Sequence, residues 1–158
     1  MSEHTATIEW SRANQGFSDN RYGRGHNWIF DGGAVVRGSS APTSVPLPMS
    51  EAEAVDPEEA LVAALSSCHM LFFLALAAKA GFVVDHYRDA AGGTLSRDDR
   101  GRMSMTEIVL RPSIRWSGEG PDEAAERGLH EQSHRLCYIA NSIRAEVRIE
   151  PIRPDAAP

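Results

Sequence analysis

Two cysteines are the residues of this chain with the most distinctive chemistry. Cys68 lies in the run DPEEALVAALSSCHML (56–71) and Cys137 lies in HEQSHRLCYIANS (130–142), and the 158 residues contain no third cysteine. Each run favours a helix, so each thiol is expected in a helical context. A thiol acts as a nucleophile only when ionised, and at an ordinary pKa of about 8.5 only a few per cent is thiolate at neutral pH. The two cysteines are therefore either a redox pair or two unrelated core residues.

A redox-active cysteine needs a nearby cation, and the polar segment 18–25 offers Arg21 and Arg24. Two unit charges ~4 Å apart interact by about 4 kcal/mol at an effective dielectric constant of ~20. That is enough to lower the pKa of a thiol by roughly 1–3 units. Glu58 or Glu59 could orient the guanidinium group. On local evidence alone, these four residues are solvated loop charges and ordinary acids of a first helical turn.

Helix geometry limits what Glu58 can do. It precedes Cys68 by ten residues, which is about 15 Å along a straight α-helix. A glutamate so placed cannot touch the cysteine of its own helix. It could act through a long arginine side chain, or it could serve the cysteine of a partner subunit.

Two other functions are compatible with the same residues. His130, His134 and Cys137 follow the spacing i, i+4, i+7, so they share one helix face, and Cys68 could complete a tetrahedral zinc site. No C-x-x-C spacing supports that site. Alternatively, the thiols are inert and an apolar pocket near Phe72 holds a small hydrophobic ligand.

The elements that position these residues are predicted from periodicity and turn residues. A helix is expected to begin after Asp56 and to run to about Lys79, because Asp56 and Glu59 form a capping box and Gly81 provides a stop. A second helix is expected from Pro121 to about Tyr138, with acidic residues in its first turn. Strands are expected at 5–10, 83–87, 90–95, 103–113 and 143–149. A hairpin is expected at 27–36, turns at 92–93 and 98–101, and an extended connector at 39–48.

Composition and element order predict a single α+β domain over residues 1–158, with an antiparallel sheet packed on helices. The net charge of −6 argues against nucleic acid as a partner. No apolar leader is visible at the N-terminus, so a cytoplasmic location is expected.

The uncharged segment 60–78 has the length of a membrane span. Polar residues at its centre, among them Ser66 and His69, are costly at that depth. We therefore expect no membrane association and a helix surrounded by protein. Because so short a chain cannot easily cover a helix that is apolar on all sides, a homodimer is expected.

The run 56–69, taken together with HRLCYIANS (134–142), resembles the OsmC/Ohr superfamily. The resemblance implies an intertwined α+β homodimer, with a long buried central helix, that acts as a thiol peroxidase in oxidative-stress defence without a metal or cofactor. It implies that Cys68 is the peroxidatic cysteine, that Cys137 is the resolving one and that Glu58 is the active-site glutamate. The active-site arginine is assigned to Arg24, with Arg21 in reserve.

The mechanism implied by the resemblance has two substrates. Cys68 reduces an organic hydroperoxide or hydrogen peroxide, a Cys68–Cys137 disulfide follows, and an external dithiol reduces that disulfide. The Cys68–His69 dipeptide and the segment Tyr138-Ile139-Ala140 differ from the organic-hydroperoxide branch. They are closer to the general OsmC-like branch.

Overall fold

The structure is a computed structural model and describes residues 1–153. Two α-helices, a 3₁₀ turn and eight strands alternate along these residues in an α+β arrangement. In chain order they are β1 (Ala6–Glu9), β2 (His26–Phe30), β3 (Val35–Gly38), α1 (Pro57–Lys79), β4 (Val84–Asp89), β5 (Gly92–Arg97), β6 (Met103–Leu110), β7 (Pro112–Trp116), α2 (Glu123–Leu136), the 3₁₀ turn (Ala140–Ser142) and β8 (Glu146–Ile149).

The first of two compact units, Met1–Ala60, contains the antiparallel sheet β1–β2–β3. The hairpin between β2 and β3 confirms the prediction from the Asp-Gly-Gly sequence. Gly33 adopts a φ of +84° there, and its N–H donates to the carbonyl of Phe30 at 2.9 Å. A positive φ of this kind is easily reached by glycine.

The connector over residues 39–48 differs from the extended segment expected from its prolines. It forms no helix or strand but folds into successive turns. The N–H of Ser44 donates to the carbonyl of Ala41 at 2.9 Å, and the N–H of Met49 donates to that of Pro46 at 3.1 Å. Proline fixes φ in a range that turns also use. The prolines therefore predicted correctly that this segment forms no helix or strand, but they did not distinguish turns from an extended chain.

Helix α1 begins and ends where the sequence predicts. The N–H of Glu59 donates to the Asp56 carboxylate at 2.8 Å, and the N–H of Asp56 donates to the Glu59 carboxylate at 3.2 Å, which completes the capping box. At the other end Gly81 has a φ of +85°, and the N–H of Phe82 donates to the carbonyl of Ala77 at 3.0 Å. This is a Schellman end, which glycine favours.

The second compact unit starts at Leu61 and contains two further sheets. Strands β4 and β7 pair antiparallel, and β5–β6–β8 form a three-stranded sheet. The antiparallel architecture is thus confirmed, with one difference, because β6 and β8 are parallel. The single long strand expected at 103–113 and beyond is divided at Arg111, whose N–H donates to the Asp89 carboxylate at 2.6 Å. The two halves belong to different sheets.

The turn predicted at Gly92 and Gly93 is wrong. Both glycines lie in β5, where they pair with Val109 and Ile108 of β6. A Cβ at position 93 would lie 2.2 Å from the Met105 Cε atom and 2.7 Å from a Val62 methyl carbon. The sequence has glycine here because side chains crowd the strand. The chain does not reverse at these glycines, because β4 and β5 run in the same direction and pair antiparallel with β7 and β6 respectively.

Helix α2 is shorter at both ends than predicted. Asp122 caps it by accepting from the N–H of Ala125 at 2.8 Å, so the helix starts after Pro121. Cys137 is the C-terminal cap and has extended backbone angles (φ −63°, ψ 113°). The expectation that Cys137 lies within a helix is therefore wrong, although Cys68 does lie in the middle of α1.

Burial along α1 is confined to one stripe in the single chain. The buried residues are Leu65, His69, Phe73 and Ala77. Leu65 joins a core cluster with Ile108, Leu110 and Cys137, and Phe73 and Ala77 join a second cluster with Ile114 and Leu129. By length and composition α1 could also cross a membrane, and only 22% of its most apolar window is buried. The exposed faces of the helix are thus apolar as well, as predicted. Its own chain covers only the buried stripe.

Candidate functional site

The two thiols, which are far apart in sequence, meet in the first core cluster of the second unit. Cys137 is fully buried among Leu65, Ile108 and Leu110, and Cys68 packs against the same cluster while staying partly exposed. Both thiols are free. One thiol is therefore open to solvent and lies in contact with another that solvent cannot reach.

The surroundings of Cys137 keep it protonated. Burial raises its pKa to about 11, and a hydrogen bond with Cys68 contributes in the same direction. The N–H of Ala140 donates to the Cys137 sulfur at 3.4 Å, and this bond opposes the shift. Since burial disfavours the charged form of a thiol, Cys137 is a poor first nucleophile.

The neighbourhood of the thiols is apolar and partly aromatic. Phe72, one helical turn after Cys68, meets Tyr138 edge-to-face with ring centroids 5.1 Å apart. Phe72 packs on the core cluster of Cys137, whereas the side chain of Tyr138 is largely exposed. Phe72 is therefore mainly a packing residue.

Arg24 and Arg21 differ in how they are held within the first unit. The Arg24 guanidinium group donates to the side chain of Asn20 at 2.7 Å and to the carbonyl of Tyr22, and it lies 3.7 Å from the centroid of the Tyr22 ring. Arg24 is half-buried, whereas Arg21 is exposed. Only Arg24 is therefore ordered by its own loop.

Glu58 and Glu59 occupy the first turn of α1 and have different tasks there. Glu59 closes the capping box with Asp56, so its carboxylate is already used locally. Glu58 is half-buried and takes no part in that cap. The roles of Glu58 and Arg24 in catalysis remain predictions from the resemblance.

A buried histidine pair in the second unit was not predicted. His69 is fully buried and His130 is 3% exposed. The Nε2 atom of His69 lies 3.0 Å from the Nδ1 atom of His130, the rings stack with centroids 5.4 Å apart, and Phe73 stacks on His130 at 4.4 Å. Burial lowers the pKa of each histidine to about 4, and His134 and His69 respectively add to the shift. Both rings are therefore neutral at neutral pH.

The zinc alternative is not supported by this arrangement. His130 faces His69, and Cys137 faces Cys68. Within residues 1–153, no group of three or more histidine, cysteine, aspartate or glutamate side chains is arranged to hold a metal ion. The shared helix face at i, i+4, i+7 thus does not bring these side chains to one point.

Comparison with known proteins gives a consistent result. A family profile described as OsmC-like protein matches residues 50–151. An OsmC-like protein of unknown function from Vibrio cholerae is 47% identical, with 96% of this chain and 100% of that chain covered and a TM-score of 0.94. No curated protein matches the chain.

More distant solved structures share the fold. An organic hydroperoxide resistance protein from Elizabethkingia anophelis has a TM-score of 0.70 at 15% identity, covering 97% of this chain and 96% of that chain. The organic hydroperoxide resistance protein OhrB of Bacillus subtilis has a TM-score of 0.66 at 14% identity, covering 96% and 98%. At these identities the likeness concerns the fold alone.

The buried histidine pair generates a prediction for stability against pH. Unfolding exposes both rings and returns each pKa to about 6.5, from about 4 in the folded protein. As the pH falls from 6.5 to 4, both histidines bind protons in the unfolded state but stay neutral in the folded state. Each histidine then removes about 1.4 kcal/mol of unfolding free energy per pH unit. Urea denaturation across this range measures the loss, which is absent above pH 6.5.

A double variant and a matched control test this prediction. His69→Phe combined with His130→Phe should flatten the pH dependence by the contribution of both groups. His86→Gln, at an exposed position of β4, should leave it unchanged. The same slope in the native protein and in the double variant would contradict the prediction.

Proposed function

Because the chain belongs to the OsmC-like protein family, we propose that it is a two-cysteine thiol peroxidase that reduces organic hydroperoxides or hydrogen peroxide in the cytoplasm. Cys68 is the peroxidatic residue and Cys137 the resolving residue. The observation that carries the proposal is the contact between a partly exposed thiol and a buried, protonated one. The names of the distant relatives from Elizabethkingia anophelis and Bacillus subtilis agree with this chemistry.

The proposed reaction follows from the unequal exposure of the thiols. The Cys68 thiolate attacks the terminal oxygen of the hydroperoxide, the O–O bond breaks, and the alkoxide leaves as an alcohol after taking up a proton. Cys68 is then a sulfenic acid. Cys137 loses its proton and attacks the Cys68 sulfur, which forms a disulfide and releases water. An external dithiol reduces the disulfide by exchange and is itself oxidised.

The residues beside the thiols favour an apolar peroxide. Phe72 and Tyr138 present aromatic surface next to the cysteines, and Leu61 and Val62 pack on the same cluster. Burial of apolar surface is worth about 25 cal/mol per Å², so an alkyl or aryl hydroperoxide gains binding energy here that hydrogen peroxide does not.

Arg24 and Glu58 complete the proposed site. A guanidinium group stabilises a thiolate and also the alkoxide that leaves the peroxide, and a carboxylate orients a guanidinium plane. The assignment of both residues rests on the resemblance of their sequence positions to the family pattern. The contacts that hold the Arg24 side chain in place support Arg24 over Arg21. A cation that is already held in position loses less conformational entropy when it binds the thiolate.

The active form is proposed to be a homodimer. The exposed face of α1 includes Ser67, Leu71 and Ala75, and the Leu71 side chain is 61% exposed. An uncharged helix face of this kind is typical of an interface between subunits. A second copy of the chain is proposed to cover it.

The first prediction of this proposal separates the two cysteines. Cys68→Ser lacks the nucleophile, so its peroxide consumption should fall to the rate of buffer alone. Cys137→Ser should complete one turnover and accumulate sulfenic acid at Cys68, which a dimedone-type reagent traps and mass spectrometry detects. In the native protein, thiol titration and peptide mapping should find one intramolecular Cys68–Cys137 disulfide after peroxide treatment.

Ser117→Ala is the control for the cysteine variants, because Ser117 is exposed and belongs neither to α1 nor to the cluster around the thiols. It should turn over as the native protein does. If both serine variants consume peroxide at the native rate, the peroxidase assignment is wrong and the alternative of a ligand-binding protein with inert thiols gains support.

The second prediction concerns the arginine. Arg24→Ala should slow the first step about tenfold at neutral pH, since a lost cation costs a thiolate roughly one pKa unit or more. Raising the pH should restore part of the rate by ionising the thiol directly. Stopped-flow measurement of peroxide reduction from pH 6 to 9 tests this. Arg21→Ala is the control, and a larger effect in that variant would transfer the role to Arg21.

The third prediction concerns assembly. Sedimentation equilibrium at micromolar concentration should give the mass of two chains. Leu71→Glu should give the mass of one chain, because it places a charge in the proposed interface. Val83→Glu, at an equally exposed apolar residue outside the helices, should stay dimeric. A monomeric native protein would refute the dimer.

A further inference from the structure

A cleft beside helix α2 has no part in the proposed thiol chemistry. It has a volume of about 820 Å³ and lies between α2, β7 and the segment after β8. Small-molecule sites typically measure about 300–1,000 Å³. We refer to it as the α2 cleft; the residues that define it are Ile114, Trp116, Glu126, His130, Ile149 and Ile152.

The α2 cleft contains a polar atom that lacks a partner. His130 lines the cleft but is only 3% exposed, and its Nε2 atom has no hydrogen-bond partner among the described residues. The nearest carboxylate oxygen, Oε1 of Glu126, lies 4.0 Å away, which is too far for a direct hydrogen bond. A buried polar atom without a partner costs free energy, so a group that fits between the two atoms would be stabilised.

The histidine pair determines which hydrogen His130 presents to the cleft. One of the two nitrogens 3.0 Å apart must donate, either Nε2 of His69 or Nδ1 of His130. If His69 donates, the proton of the neutral His130 ring is on Nε2 and points toward the carboxylate of Glu126. In the opposite tautomer, the lone pair of His130 Nε2 would point toward the negative carboxylate of Glu126, and the proton of His69 would be on Nδ1, which has no partner within residues 1–153. Repulsion and an unpaired buried N–H both disfavour that tautomer. The cleft therefore presents an N–H donor and a carboxylate acceptor.

We propose that the α2 cleft binds a neutral molecule with an apolar body and one hydroxyl group, whose oxygen lies between His130 Nε2 and Glu126 Oε1. A hydroxyl accepts one hydrogen bond and donates another. The two atoms are 4.0 Å apart, so an oxygen about 2.8 Å from each has an Nε2···O···Oε1 angle of about 90°. A hydroxyl oxygen can accept one hydrogen bond and donate another at such an angle. The proposal assigns a binding site independent of the thiols.

The apolar part of the α2 cleft is preformed. Trp116 packs edge-to-face on Phe82 with ring centroids 5.8 Å apart, and its centroid lies 5.9 Å from that of Phe73. A Cβ at position 120 would lie 2.6 Å from the indole ring, so glycine lets the loop lie against Trp116. The indole and the isoleucines provide a fixed apolar surface for the body of the ligand.

Charged ligands fit this cleft less well than neutral ones. A carboxylate placed at the polar pair would be repelled by the Glu126 carboxylate. Burial raises the pKa of Glu126, although a hydrogen bond with the Trp116 side chain opposes the shift. An ammonium group could pair with the Glu126 carboxylate, but it has no lone pair, so the Nε2–H of His130 would stay without an acceptor. A hydroxyl avoids both conflicts.

The test uses four probes that share one aromatic body. Benzyl alcohol, toluene, benzoate and benzylamine are titrated into ¹⁵N-labelled protein, and the indole N–H resonance of Trp116 is followed by NMR. Trp10 and Trp28 serve as internal controls. Benzyl alcohol should saturate the Trp116 shift at about three- to tenfold lower concentration than toluene, as expected for one or two net hydrogen bonds. Benzoate and benzylamine should bind more weakly than benzyl alcohol.

Two variants decide whether the polar pair is responsible. Glu126→Ala and His130→Phe should each make benzyl alcohol and toluene bind equally, and Glu131→Gln, an exposed residue on the same rim, should keep the difference. Because Glu126 is not part of the histidine pair, its variant is informative even if His130→Phe does not fold. No Trp116 shift up to the solubility limit, or a hydroxyl preference that persists in Glu126→Ala, would overturn the proposal. Peroxide consumption is not measured, so the result is separate from the proposed enzyme function.

Discussion

Every fourth residue of helix α1 from Leu65 to Ala77 is buried, and this stripe crosses two apolar clusters with a polar residue between them. Leu65 and Phe73 anchor the helix by apolar burial, worth about 1.5–3 kcal/mol for each large side chain. His69 lies between these anchors and cannot be buried there at low cost unless its ring finds a partner. His130 is that partner, so the position of α2 along α1 is fixed by a hydrogen bond as well as by packing.

The position of α2 in turn determines where its last residue lies. Cys137 follows directly after the helix and enters the cluster of Leu65, Ile108 and Leu110. Cys68 precedes His69 by one residue and is therefore partly exposed at the side of the same stripe. The histidine pair and the thiol pair are thus two consecutive contacts of one helix–helix alignment. A change that shifts the first contact is expected to shift the second.

Elements with local causes could be predicted from the sequence. Asp56, Glu59 and Gly81 determine the ends of α1 by hydrogen bonds to residues within five positions, and the Asp-Gly-Gly hairpin is equally local. The family resemblance found the cysteine pair for a similar reason, because both motifs are short. Predicting these features needed no knowledge of distant contacts.

Features with tertiary causes could not be predicted. Gly93 is a glycine because Val62 and Met105 crowd it, and nothing in its neighbouring residues distinguishes this from a turn. The sequence does not indicate which face of α1 is buried, because the helix is apolar on every side. The spacing of Leu65, His69 and Phe73 is therefore no different from that of the other apolar residues. The partner of His69 is 61 residues away. Only a three-dimensional structure brings such positions together.

The parallel pairing of β6 with β8 determines what the growing chain exposes during synthesis. Strand β8 is the last strand of the described chain, and it covers an edge of β6 that was synthesised about forty residues earlier. Until the ribosome has released residues 146–149, that edge is open to pairing with other chains. Cys137 lies on the connection between these strands, 69 residues after Cys68 (137 − 68), so Cys68 cannot meet it until that whole segment has been synthesised. The growing chain therefore carries Cys68 without its partner thiol. The segment that follows β6 supplies both Cys137 and strand β8, so it covers the thiol and the open sheet edge together.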